Sequence, residues 1–230
     1  MNHYKYIIVG GGMTADAAVK GIRELDSEGS IAVISREAHP PYARPPLTKG
    51  LWKGAPEEKI WKNTQQLPNL TLLLNASVLS INKDNSVSFD TGEKLYYDKL
   101  LLATGGEPRK FSFDGENIIY YRTFDDYKKL RELAETAEKF AVVGGGFIGS
   151  EIAAALAMNG KKVTMIFPSK YIGEKMFPKE IAEYITNYYG EKGVELVPKD
   201  TVKDIRNQDG TEVITTERGQ TIPVNAVVIG

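Results

Sequence analysis

Gly10, Gly12 and Ala15, and again Gly144, Gly146 and Gly149, stand at the spacing G-x-G-x-x-G/A, with the second set 134 positions after the first. At this spacing the working groups are backbone rather than side chain. The first glycine permits a tight turn, the second lets the chain approach a pyrophosphate, and the third position lets a helix pack closely on its strand. The phosphates then rest on the unpaired N–H groups of a helix N-terminus. One such run is weak evidence, because glycine turns also serve as plain connectors. Two runs in the same strand-turn-helix setting imply two bound dinucleotides, and with them electron transfer between a flavin and a nicotinamide.

This chemistry needs a buried strand before each glycine run and a helix after it. Tyr4–Val9 is apolar enough for the first strand, and Met13–Leu25 carries Ala17, Ala18, Ile22 and Leu25 on one helical side. Ser30–Ser35 completes a βαβ unit. Phe140–Val143, the alanine-rich stretch after Gly146, and Lys162–Phe167 repeat the pattern. After the first unit, short strands are predicted at Leu70–Leu74, Val78–Ile81, Val87–Phe89, Lys94–Tyr97 and Lys99–Ala103, then Ile118–Tyr121 and a charged helix over Asp125–Lys139. After the second, a helix at Pro178–Tyr189 precedes strands at Val194–Val197, Val202–Ile205, Glu212–Thr216 and Val224–Ile229. A dinucleotide βαβ followed by strands thus occurs twice. The expected fold class is α/β with two Rossmann-like dinucleotide-binding domains, residues 1–117 and 118–230. The last strand runs into Gly230, an ending expected of a fragment of a longer protein.

A Pro-rich passage, Pro40-Pro-Tyr-Ala-Arg-Pro-Pro-Leu-Thr-Lys49, interrupts this order. Its four prolines are expected to exclude a regular element. It is either a rigid connector or a fixed scaffold for Arg44 and Lys49. Bulk composition narrows the function further. Of the 230 residues, 42% are hydrophobic and 26% charged, the balance of a soluble globular protein. A net charge of −1 argues against a broad nucleic-acid footprint. No run nears the ~18 apolar residues of a spanning helix, so a cytoplasmic protein is the default expectation. With no cysteine there is no disulfide, Fe–S ligation or redox-active thiol, and with only His3 and His39 no metal site is expected. Redox chemistry must belong to a bound cofactor.

Pro41-Tyr-Ala-Arg44-Pro-Pro-Leu-Thr-Lys49, Ala103-Thr-Gly105, Gly144–Glu151, Ile166-Phe-Pro and Asn187-Tyr-Tyr-Gly-Glu-Lys-Gly193 carry a specific resemblance over essentially the whole chain. The chain resembles the two-dinucleotide, FAD-dependent pyridine nucleotide oxidoreductases, which share a glutathione reductase-like fold. It is most similar to the branch holding ferredoxin and rubredoxin reductases, apoptosis-inducing factor and plant monodehydroascorbate reductase. The resemblance implies that Gly10, Gly11, Gly12 and Met13 wrap the FAD pyrophosphate. It implies that Glu37, or its neighbour Arg36, faces the adenosine ribose, unless the two form a solvated Arg–Glu pair, with Arg44 and Lys49 along the flavin. Val78, Thr104, Gly105 and Arg122 join the FAD contacts. Gly144, Gly145, Gly146, Phe147, Ile148, Gly149 and Glu151 would carry NAD(P)H, with Gly230 beside them.

The same resemblance makes Lys49, Glu151 and Phe147 the residues of the electron-transfer step. Glu151 would pair with Lys49 beside the flavin, or the two are independent solvated charges. Phe147 would cover the flavin, or it packs into the core. Where relatives often place a ribose-binding Glu, this chain has Ser169, followed by Lys170 and by Lys175 at a basic position of the family. Loss of the acid removes a repulsion against a 2′-phosphate, with which Lys170 or Lys175 could pair, and both NADH and NADPH stay open. The family's closing FAD segment and its C-terminal interface domain are missing from the sequence. Implied acceptors are a ferredoxin, a rubredoxin or a small organic molecule, and a homodimer is one assembly left open. A disulfide reductase is opposed by the lack of cysteine. A non-catalytic NAD(P)/FAD-binding redox-sensing module, or an inactive fragment, is the alternative from another class.

Overall fold

A computed structural model describes residues 2–113 and 115–230. The chain forms two compact units, one of residues 1–44 and 56–106 and the other of 45–55 and 107–230. The first contains β1 (His3–Val9), α1 (Met13–Leu25), β2 (Ile31–Ile34), β3 (Leu70–Leu73), β4 (Val78–Asn82), β5 (Ser86–Phe89) and β6 (Lys94–Leu102). They make one six-stranded sheet in the order β3-β2-β1-β6-β5-β4. β3, β2, β1 and β6 run parallel, while β5 and β4 return antiparallel. All four residues of β2 are buried, as expected of a central strand covered on both faces. Ala15 and Val19 of α1 pack with Ile8, Ile31 and Val33 on one face, and Tyr4, Ile7, Ala32, Ile34 and Val87 pack on the other.

The two strands expected at Lys94–Tyr97 and Lys99–Ala103 are a single strand, β6. Asp98 does not break it, because its side chain is exposed, 3.1 Å from His3 Nε2. Residues 94–96 pair with β5 and residues 96–102 with β1, so one strand serves two neighbours.

The second unit contains β7 (Ile118–Tyr120), α2 (Phe124–Thr136), β8 (Lys139–Val143), α3 (Phe147–Met158), β9 (Lys162–Phe167), α4 (Lys179–Glu191), β10 (Glu195–Pro198), β11 (Val202–Gln208), β12 (Thr211–Thr216), β13 (Thr221–Val224) and β14 (Ala226–Ile229). A parallel sheet has the order β10-β9-β8-β14-β7, and a separate antiparallel sheet the order β11-β12-β13. Ile205, Ile214, Ile222 and Val224 of the small sheet share a core with Ala141, Ile166, Val227 and Ile229 of the large one. The strand expected over Val224–Ile229 is divided between the two sheets at Asn225. The Asn225 side-chain oxygen accepts the N–H groups of Glu138 and Lys139 at 3.2 and 2.9 Å, which turns the chain there. α2 begins in a capping box between Thr123 and Asp126 and stops at Thr136, because Lys139 already belongs to β8.

The Pro-rich passage departs from expectation too. Pro45–Thr48 and Gly50–Lys53 form two short 3-10 turns. Proline suits the first position of a helical turn, where its missing N–H has no partner to lose. Leu47, Leu51 and Trp52 are buried. Tyr121 Oη and Trp52 Nε1 both donate to the Leu47 carbonyl, at 2.5 and 2.9 Å, and Asn159 Nδ2 donates to the Trp52 carbonyl at 3.2 Å. Residues 45–55 are thereby a fixed platform within the second unit.

Candidate dinucleotide sites

The two glycine loops have the same geometry. Gly10 N–H donates to the Ile34 carbonyl at 2.8 Å, and Gly144 N–H to the Ile166 carbonyl at 2.9 Å. Their φ angles are +119° and +121°. A Cβ on Gly10 would lie 2.1 Å from the Ala103 carbonyl oxygen, and one on Gly144 2.2 Å from that of Gly230. In each unit the end of the neighbouring strand therefore occupies the space a side chain would need. The middle glycines also sit against the next strand, since a Cβ on Gly11 would meet Ser35 and one on Gly145 the Phe167 ring.

Gly12 and Gly146 are different. No heavy atom beyond their immediate neighbours lies within 4 Å of a Cβ built on either. Each is the N-cap of its helix, and neither helix has a side-chain cap. The helix N-termini of α1 and α3 are thus open, with N–H groups that a phosphate can accept from. Residues Gly10 to Met13 fit a dinucleotide pyrophosphate in the first unit, and Gly144 to Ile148 fit one in the second. The last position of each motif is explained as well. A Cβ on Gly149 would approach the Gly144 carbonyl to 2.2 Å, whereas Ala15 at the same place is accommodated and fully buried.

In the first unit, Glu37 lies beyond the end of β2, partly buried, while Arg36 is exposed. Tyr42 Oη donates to Glu37 Oε2 at 2.6 Å, and the Arg44 guanidinium donates to Glu37 Oε1. Arg44 also lies 5.3 Å from the centre of the Tyr42 ring. The structure thus joins Glu37 and Arg44, which the resemblance assigns to different ends of FAD. Val78 opens β4 and is partly buried, and Thr104 and Gly105 are exposed beyond β6.

In the second unit, Lys49 and Glu151 are brought together across 102 positions, with Nζ 2.7 Å from Oε2. Thr48 Oγ1 donates to the same Oε2 at 2.5 Å. Thr48 went unremarked in the sequence, although a hydroxyl directly before Lys49 in a rigid passage was the available signal. Nearby, Tyr189 Oη donates to the Ser150 carbonyl at 3.0 Å, and burial pushes that phenol above its ordinary pKa, keeping it a donor. Phe147 does not pack into the core. It is 59% exposed, edge-on to Phe177 with ring centres 6.2 Å apart. Arg122 precedes α2 and donates its backbone N–H to Asp126 at 3.0 Å.

Ser169 follows β9 and is partly buried; its carbonyl accepts the Lys199 N–H at 3.0 Å. Lys170 lies 4.8 Å from the centre of the Tyr171 ring, and the Tyr171 hydroxyl raises its pKa. Lys175 is exposed in the turn that follows.

A family model described as pyridine nucleotide-disulphide oxidoreductase matches residues 4–230. The chain belongs to this family. Pyridine nucleotide-disulphide oxidoreductases of this group contain FAD and use NAD(P)H. Among relatives, the chain is 32% identical to mitochondrial apoptosis-inducing factor 1 of Dictyostelium discoideum, over 100% of this chain and 48% of that protein. It is 32% identical to peroxisomal monodehydroascorbate reductase 1 of Arabidopsis thaliana, over 99% of this chain and 58% of that one. Among solved structures, the ferredoxin reductase for the CYP199A2 system from Rhodopseudomonas palustris superposes with a TM-score of 0.90 at 25% identity, covering 100% of this chain and 58% of that chain. The chain spans about half the length of the curated relatives it matches. Although the family name includes a disulphide, these 230 residues hold no cysteine to carry one. Among the described residues no helix is long and apolar enough to cross a membrane.

Proposed function

We propose that the chain is the dinucleotide-binding part of an FAD-dependent NAD(P)H oxidoreductase, in which the first unit holds FAD and the second holds NAD(P)H. The observation that carries this reading is the pair of open helix N-termini behind glycine loops of matching geometry, one in each unit. When bound, the two cofactors supply the chemistry, hydride from the nicotinamide to the flavin and then electrons onward. The chain's own residues bind and orient. Gly10 to Met13 and Gly144 to Ile148 offer backbone N–H groups to the pyrophosphates. Glu37 accepts from the adenosine ribose of FAD, with Arg44 and Tyr42 fixing its carboxylate. Val78, Thr104 and Gly105 complete the FAD contacts of the first unit, and Gly149, Ser169, Lys175 and Gly230 the NAD(P)H contacts of the second. Thr48 and Lys49 hold one oxygen of Glu151, which sets the charge at the electron-transfer site. Phe147 is exposed as a residue that covers a ring must be.

The acceptor is proposed to be a ferredoxin- or rubredoxin-type protein or a small organic molecule, supported by the likeness to a ferredoxin reductase and to monodehydroascorbate reductase. A cytoplasmic location belongs to the same proposal. The test is the visible spectrum of the purified chain before and after anaerobic NADH or NADPH. Flavin bands that bleach on addition support the reading. A protein that binds nicotinamide but neither holds nor reduces FAD overturns it in favour of a non-catalytic binding module.

A further inference from the structure

The matched glycine loops allow the two units to be compared residue by residue. Gly10 N–H binds the Ile34 carbonyl and Gly144 N–H that of Ile166, so Glu37, three residues beyond Ile34, corresponds to Ser169. The next strand agrees. Asn75 donates its N–H to the Glu37 carbonyl at 3.2 Å, and Lys199 donates its N–H to the Ser169 carbonyl at 3.0 Å. Ala76 and Asp200, one residue on, bind the carbonyls of Ser35 and Phe167 at 2.9 and 3.2 Å. Asn75 and Lys199 even share a left-handed backbone, with φ of 53° and 58°.

The position that holds a carboxylate in the first unit therefore holds a hydroxyl in the second. The position that holds a neutral amide in the first holds an ammonium in the second. A carboxylate there accepts from the ribose hydroxyls and repels a 2′-phosphate, while a hydroxyl beside a cation does the reverse. Three carboxylates of the neighbouring segments have hydrogen-bond partners of their own, and a fourth, Glu183, acts on Lys170. Glu174 Oε2 accepts the Lys170 N–H at 2.8 Å, and Glu195 Oε2 the Thr164 hydroxyl at 2.9 Å. Asp200 is buried, with Oδ1 accepting the N–H groups of Thr201 and Arg218 at 2.8 and 3.3 Å. Lys170, Lys175 and Lys199 are all exposed.

We infer that the second unit selects the 2′-phosphorylated dinucleotide, NADPH over NADH, and that Lys199 is the residue that recognises the phosphate. This rests on the reading that the second unit holds a nicotinamide dinucleotide. The test is the dissociation constant of each, from the change in nicotinamide fluorescence on titration. NADPH is expected to bind roughly tenfold tighter than NADH, the size of one charge-assisted hydrogen bond. Lys199→Asn keeps a residue suited to a positive φ and is expected to erase most of that margin while leaving NADH unchanged. Ser169→Glu is expected to reverse the preference. NADH binding as tightly as NADPH, or a margin untouched by Lys199→Asn, would overturn the inference alone. Failure to bind either nucleotide would overturn the nicotinamide reading and the inference together.

Discussion

Alanine at Gly146 and alanine at Gly144 are expected to separate binding from stability. Gly146 has φ −84°, ordinary for any residue, and a methyl group there meets no heavy atom within 4 Å. Losing glycine at an N-cap costs a few tenths of a kcal/mol or somewhat more, and the stiffer unfolded chain returns about 0.4–1 kcal/mol. The two nearly cancel, so the unfolding midpoint should stay within about 2 °C of the parent. The methyl group would nevertheless stand in the open space before α3, where a pyrophosphate must reach the N–H groups. Loss of two charge-assisted hydrogen bonds at about 1.5–3 kcal/mol each weakens binding roughly a hundredfold or more. Gly144 is the opposite case. Its φ of +121° costs alanine about 1–3 kcal/mol. The Cβ would lie 2.2 Å from the Gly230 carbonyl oxygen, and relieving that overlap adds about 1–3 kcal/mol. The midpoint should fall by roughly 5–15 °C. Calorimetry and nicotinamide fluorescence titration of both variants provide the comparison. Gly146→Ala binding within about twofold of the parent would refute the placement of the pyrophosphate. Gly146→Ala as unstable as Gly144→Ala would refute the packing argument.

Further outcomes follow from single contacts. Lys49→Ala should slow flavin reduction about tenfold in anaerobic stopped flow while leaving the nicotinamide dissociation constant nearly unchanged, and equal effects on both would count against its assigned place. Phe147→Ala should cost less than about 1 kcal/mol in urea unfolding, because the ring is largely exposed and meets Phe177 edge-on. Glu212 is fully buried, and Oε1 accepts from the N–H groups of Glu116 and Asn117 and from Asn207 Nδ2, so Glu212→Leu should cost at least about 3 kcal/mol by the same measurement. Asp26 accepts from Lys5, the Gly29 N–H and Tyr6, which hold its carboxyl well below the usual range. A depressed carboxyl stabilises the fold above its unfolded pKa of about 4 and loses that contribution as pH falls toward the folded value. Asp26→Asn should therefore destabilise the protein at pH 7, with the gap to the parent narrowing below about pH 4.

Helix α1 and strand β9 have the bounds expected from the sequence, because Gly12 directly precedes the first and Pro168 directly follows the second. Expectation failed where one residue decides between neighbours. Asp98 is polar but lies on the exposed side of a continuing strand, and Asn225 sits inside an apolar run yet turns the chain between sheets. Neither outcome follows from periodicity, since it depends on which strands lie alongside. The prolines at 45 and 46 likewise read as breakers, although they begin a helical turn whose Leu47 is buried.

Both glycine loops and the helix starts behind them were legible in the sequence, because a glycine run between a strand and a helix is a local backbone device and its geometry depends on few residues. The partners around them were not. Glu37 is held by Tyr42 and Arg44, and Glu151 by Thr48 and Lys49, only once the folded chain brings them together. The Ser169–Lys199 pair emerges only when hydrogen bonds show which residues of the two units correspond. Local spacing sets the turn, while a contact between residues 30 or 100 positions apart exists only when the burial of Leu47, Trp52 and the strand cores has closed the chain around it.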